Sequence, residues 1–157
     1  MKSTADAPSY ERANAAYVSG DHTAAERLSL QAAAESEKPG STPSEETIKA
    51  LKLAGLSAQK RFEYPKAMEH FRDAEKRIDR QRTPEEWSEI QQAIADLLSE
   101  QGQPGQAESV LRTVIDFRNQ VFGPENPDTL KSLNCVAFAL NSQGRYKEAE
   151  AEFRRNI

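Results

Sequence analysis

The chain has 157 residues, 37% of them apolar and 29% charged, with a formal net charge of −4, enough for one domain with a thin, continuous core. Its longest apolar run, Cys135 to Leu140, is far short of the roughly 20 residues of a spanning helix, and the polar start from Met1 to Ser9 predicts no signal peptide. The single cysteine excludes an intramolecular disulfide and fits a cytoplasmic location, while charge sums of −2, +3, −6 and +1 over residues 1–42, 43–83, 84–126 and 127–157 leave no uniformly basic face for nucleic acid.

Tyr10, Ala13, Ala16 and Tyr17 recur at helical spacing and lead to Gly20, after which Ala24, Ala25, Leu28 and Ala32 run to the breaker Lys38-Pro39-Gly40. Either Ala24 or Ala25 serves as the close-contact residue. This pattern is degenerate, as expected of a terminal unit with one face to water, and residues 1 to about 8 are expected to fray. Thr42-Pro43-Ser44-Glu45 predicts a helix start, with a threonine cap, proline at the first helical position and acids facing the helix dipole. Ile48, Leu51, Ala54, Gly55 and Ala58 give that helix one apolar stripe, and Ala67, Phe71, Ala74 and Ile78 give the returning helix another. Arg61-Phe62 lies between them, where a glycine-based stop is missing, so a different turn is expected there.

Thr83-Pro84-Glu85-Glu86 and Asn126-Pro127-Asp128 predict two more starts of the same kind. The stripes that follow are Trp87, Ile90, Ile94, Leu97 and Leu98 in one case and Leu130, Leu133, Val136, Ala137 and Leu140 in the other. Gly102 and Gly144 end these helices, and the returning stripes are Ala107, Val110, Leu111, Val114 and Val121, then Ala149, Phe153 and Ile157.

Ala25, Ala67, Ala107 and Ala149 are spaced 42, 40 and 42 residues apart. A fixed period of that size marks stacked helix hairpins, none of which can bury its apolar face alone. The chain is therefore expected to be an all-α solenoid in a single domain, 1–157, with units near 9–38, 43–82, 84–122 and 127–157. The recurring alanine lets two helices approach to roughly 8 Å. The last returning helix is about six residues shorter than the third unit would predict. Either the unit is truncated from a longer array, or the edge bearing Phe153 and Ile157 is covered by another subunit.

No catalytic constellation is visible. His22 and His70 are 48 residues apart with no neighbouring cysteine, which leaves no zinc set and no nucleophilic triad. His22 is expected near a helix start and His70 on an exposed helix face. Cys135 is expected to pack as a small apolar residue and Trp87 to fill a junction between hairpins. No glycine-rich phosphate loop occurs, and no cofactor is implied.

Gly123-Pro-Glu-Asn-Pro-Asp-Thr-Leu-Lys-Ser-Leu-Asn-Cys-Val-Ala137, followed by Gln143-Gly-Arg-Tyr-Lys-Glu-Ala-Glu150, resembles the tetratricopeptide repeat of the kinesin-light-chain type. Gln101-Gly102, Gln106-Ala107-Glu108 and Phe122-Gly123-Pro124 carry the likeness into the third unit; earlier units match in spacing and small residues only. The resemblance implies a right-handed superhelix of helix hairpins with a peptide-binding inner face, and so a non-catalytic adaptor. The chain is also similar in size and unit number to the bacterial kinesin light chain branch, which implies a tubulin-like filament as partner and association with membranes. The alternative is an architectural or oligomerisation module without a groove ligand.

In such repeats the first helix of each hairpin lines the inner wall. Carried over residue by residue, that rule nominates Tyr10, Asn14 and Tyr17; Lys49, Lys52, Leu56, Gln59 and Lys60; Glu89, Gln92, Asp96 and Ser99; and Lys131, Asn134, Phe138 and Asn141. The wall would run from aromatic, through basic and acidic, to amide-rich. Asn134 and Asn141 can donate to and accept from a peptide backbone. Phe138 is either an anchor for a ligand or packing under a longer helix. Lys131 and Asn134 resemble part of the carboxylate clamp of co-chaperone repeats, but Glu89 and Asp96 intrude on it.

Overall fold

The computed structural model describes residues 8–155, and every regular element among them is an α-helix. The elements are α1 (Ser9–Ser19), α2 (His22–Ser36), α3 (Glu45–Lys60), α4 (Tyr64–Glu75), α5 (Pro84–Glu100), α6 (Pro104–Val121), α7 (Pro127–Ser142) and α8 (Tyr146–Arg155). Consecutive helices pair as hairpins, the all-α helical-repeat arrangement that the period requires. Two compact units, Met1–Ile90 and Gln91–Ile157, divide inside α5.

One backbone device closes all four hairpins. Gly20, Gly102 and Gly144 have φ of 88°, 73° and 75°, and Phe62, in the same register, has φ of 61°. The second hairpin thus turns like the others, against the expectation from Arg61-Phe62. The Phe62 N–H donates to the Gln59 carbonyl at 2.9 Å and the Glu63 N–H to that of Ala58 at 3.0 Å, so the last carbonyls of α3 are satisfied. A non-glycine residue there bears a left-handed cost of about 1–2 kcal/mol.

Small residues recur in the same register on both helices of every hairpin, and they are buried. Ala25, Ala67 and Ala107 are fully buried and Ala149 is 3% exposed, and Ala25 rather than Ala24 is the contact residue of the first hairpin. Ala13, Gly55, Ala95 and Ala137 hold the matching place on the first helices, and all are buried. At Gly55 the approach is very close: a Cβ would stand 2.4 Å and 2.5 Å from two atoms of the buried Phe71 ring.

Other details depart from the sequence reading. Helix α3 begins at Glu45, one residue after Ser44, whose hydroxyl accepts the Thr47 N–H at 3.1 Å; Thr42 is not the cap. The Thr47 hydroxyl, fully buried, also meets those of Ser44 and Ser36 at 2.9 and 2.8 Å, tying the end of α2 to the start of α3. Asn126 does cap α7, accepting the Asp128 N–H at 2.9 Å. Helix α5 starts at Pro84, and the Thr83 hydroxyl before it donates to the Asp79 carbonyl. Ile78 lies beyond the end of α4, and Val121 is exposed.

In α7 the buried side is carried by Thr129, Ser132, Val136, Ala137, Ala139 and Leu140. Leu130 and Leu133 are only half-buried, because they face a cleft of about 370 Å³ shared with Ile115, Pro124 and the charged Arg112, Glu152 and Arg155. Trp87 is buried with the Arg80 guanidinium 4.0 Å from its ring centroid, a cation–π contact within the fold. Ile157 lies outside the described residues.

Candidate functional site

In the first unit the wall residues are largely engaged. Tyr10 and Tyr17 are half-buried against Ala13, Leu28 and Leu53, and Tyr17 meets the His22 ring edge-on at 5.2 Å. Asn14 is exposed beside them. The lysines of α3 do not form an open basic strip. The Lys52 ammonium donates to Glu89 at 2.5 Å, and Lys49 lies 3.6 Å from Glu45 and 3.9 Å from Glu86. Opposite charges read separately from the sequence therefore compensate each other across the helices. Leu56 and Gln59 are half-buried and Lys60 is exposed.

The second unit combines an open helix face with a polar seam. Lys131, Asn134, Phe138 and Asn141 occur at helical spacing on α7 and all are exposed, Phe138 by 63%. Beside them, Gln92 on α5 is buried and accepts from the Ser132 hydroxyl at 2.6 Å. The buried Arg118 guanidinium on α6 donates to Ser132 Oγ and the Asp128 carbonyl, both at 2.8 Å. The Gln92 amide donates in turn to Asp96 Oδ1 at 2.9 Å and to Cys135 Sγ at 3.5 Å. The thiol itself points at Asp96 Oδ1 from 4.0 Å. Arg118 and Ser132 thus lock Gln92, and Gln92 orients the carboxylate.

Burial pushes the Asp96 carboxyl above the usual carboxylate range; Glu100 adds to this, while the Gln92 hydrogen bond and the Lys131 and Arg118 charges oppose it without prevailing. Burial also pushes the Cys135 thiol up, reinforced by Asp96. The cysteine therefore stays a thiol at neutral pH and takes part in a polar seam, rather than packing as a plain apolar residue. Ser99 is half-buried and its hydroxyl is spent on the Ala95 carbonyl at 3.1 Å.

Residues 88–155 match the family model of the tetratricopeptide repeat. That segment, from within α5 to the end of α8, is thus similar to the tetratricopeptide repeat. Among solved structures the chain is similar to the kinesin light chain nearly identical TPR-like repeats of Podosopora anserina, with a TM-score of 0.74 at 20% identity over 94% of this chain and 71% of that one. A variant of those repeats gives 0.76 at 19% identity with the same coverage. BtubC (BKLC) from P. vanneervenii gives 0.79 at 15% identity, over 92% of this chain and 58% of that one. Among curated proteins, none matches.

On the returning helices of the hairpins, buried acids receive basic side chains from the next turn. Glu26 on α2, 3% exposed, meets Arg61 at 2.7 Å, Lys66 at 2.8 Å and His70 at 2.9 Å. His70 is therefore buried, contrary to the exposed position expected for it. Glu108 on α6 receives Arg145 at 2.6 Å and Gln143 at 3.0 Å in the same manner. Burial raises the Glu26 carboxyl, but its bonds to Lys66 and His70 outweigh that and hold it below the usual range. For Glu108 the Gln143 and Arg112 bonds and the Arg145 charge do the same. These clusters join helices and offer no free chemistry.

The nominated wall residues therefore divide. Lys131, Asn134, Phe138 and Asn141 present an exposed face with Asp96 half-buried beside it; Gln92, Lys52 and the two tyrosines are each engaged with neighbours in their own unit. Among the described residues no group of three or more metal-ligating side chains exists, and no helix is long and apolar enough to cross a membrane. Sequence reasoning missed Ser132, Arg118 and Cys135 as site residues. The available signal was Thr129 and Ser132 spaced as a polar pair on α7, since Thr47 holds the same register on α3 and is also buried.

Proposed function

We propose that the chain is a non-catalytic protein-interaction adaptor in which the first helices of the hairpins receive an extended partner segment. In this reading the four hairpins belong to one solenoid domain. The observation that carries it is Phe138, 63% exposed between Asn134 and Asn141 on α7. A large aromatic between two amides suits an anchored backbone: the ring supplies the contact area and the amides bind main-chain groups without demanding a sequence. A tubulin-like filament is the partner to test first, given the resemblance to kinesin light chain repeats and the likeness to BtubC. Cosedimentation with such filaments is expected for the parent and not for Asn134→Ala/Phe138→Ala, with helicity unchanged in both. Equal cosedimentation would reject the wall as the binding face.

A second reading rests on Phe153, 46% exposed on α8. If that edge is an oligomerisation surface, the protein is architectural instead. Light scattering distinguishes the two, because a monomer at high concentration removes the architectural reading.

A further inference from the structure

Asp96, the nominated wall carboxylate of the second unit, is half-buried, and among the described residues it makes no ion pair within 4.0 Å. Its Oδ1 accepts from Gln92 and faces the Cys135 thiol. Those partners orient the group without neutralising it. The charged and titratable groups around it are Glu100 on its own helix, Arg118 on α6, and Lys131 and Cys135 on α7. Arg118 is committed to the Asp128 carbonyl and Ser132, and Lys131 is exposed and acts only from a distance. The site thus has an oriented, partly desolvated anion awaiting a counter-charge, and Gln92 is held in place by two further residues.

We propose that Asp96 is the specificity residue of the wall, and that it selects a partner segment carrying one lysine or arginine with an apolar side chain two positions away. This rests on the adaptor reading above. The spacing follows from geometry. Asp96 touches Cys135 at the middle of α7, and Phe138 lies one turn further on, about 5–6 Å away on the helix surface. In an extended ligand, side chains two residues apart on one face are separated by roughly 6.6 Å. A basic group on Asp96 therefore brings the next same-face side chain onto the Phe138 ring. Lys131, one turn on the other side of Cys135, repels a second cation, so the surface favours a single basic residue over a basic run.

A random extended-peptide display library selected on the full chain tests this. Expected is enrichment of one lysine or arginine with an aliphatic or aromatic residue two positions away. A synthetic peptide of that sequence should bind about tenfold tighter than its norleucine counterpart at pH 7, and the difference should vanish in Asp96→Asn. Below the raised titration range of Asp96 the lysine preference should also fade, because the neutral carboxyl no longer attracts the cation. Enrichment of acidic peptides, or equal affinity for the lysine and norleucine peptides, overturns the role of Asp96 while leaving the adaptor reading intact. No enrichment at all, or identical selection on Asn134→Ala/Phe138→Ala, overturns both.

Discussion

Replacing Gly55 with alanine probes the close contact between α3 and α4. In an exposed helix interior the change stabilises by about 1 kcal/mol, through helix propensity alone. Here the added methyl would stand 2.4 Å from a ring atom of Phe71, which is fully buried and cannot swing away. Overpacking of that kind costs about 1–3 kcal/mol, and the depth of this overlap puts it at the upper end. The net expectation is a loss of about 2 kcal/mol, or roughly 4–8 °C in melting temperature for a chain of this size. The third hairpin supplies the compensating pair. Ala95 and Leu111 stand in the register of Gly55 and Phe71 and are 0% and 1% exposed. Phe71→Leu alone should cost about 1–2 kcal/mol, yet Gly55→Ala/Phe71→Leu should return to within about 1 kcal/mol of the parent, a coupling of about 2–3 kcal/mol. Urea and thermal unfolding followed by circular dichroism measure all four corners of the cycle. A Gly55→Ala variant more stable than the parent, or additive losses in the double variant, would refute the close approach.

Ser44→Ala should cost about 1 kcal/mol through the lost cap of α3, whereas Thr42→Ala should change the urea midpoint by almost nothing; the reverse order would restore Thr42 as the cap. Phe62→Gly should raise the melting temperature by roughly 1–4 °C, because relief of the left-handed strain exceeds the entropy that glycine adds to the unfolded chain. A lower melting temperature would show that the ring's edge contact with Tyr64, at 6.3 Å between centroids, matters more than the strain. Glu26→Gln should cost about 2 kcal/mol at pH 7. The carboxyl is held below its unfolded range, so its stabilisation is complete above that range and is lost as pH falls through the depressed folded value. The variant's pH–stability curve should accordingly be flatter on the acid side, and parallel curves would contradict the assignment.

The hairpin architecture is legible in the sequence because it rests on spacing. Small residues at a period of 42, 40 and 42, caps and apolar stripes all report backbone geometry that any side chain must respect. The third and fourth first-helix starts, Pro84 and Pro127, appear where the proline rule puts them. The second does not, because Ser44 outcompetes Thr42 by reaching the Thr47 amide after an extended Pro43-Ser44 step. The turn at Phe62 is not legible, because a positive φ at a phenylalanine is set by the surrounding hairpin and not by its own preference. Burial on α7 differs by one position from the periodic expectation: the pattern favours Leu130 and Leu133, yet Thr129 and Ser132 face inward because their hydroxyls find the Gly123 carbonyl at 3.0 Å and Gln92 at 2.6 Å. Of the wall, the exposed face of α7 follows from repeat geometry alone. The lysines of α3 do not, since a charge read in one dimension does not show that its partner stands 37 residues away at Glu89.

The most direct measurement is a chemical-shift titration of the isotope-labelled chain with the display-selected peptide. The account predicts perturbations concentrated at 131–141 on α7 and around Asp96 on α5, absent when Asn134 and Phe138 are both alanine. Perturbations confined to the returning helices α2, α4, α6 and α8 would contradict it.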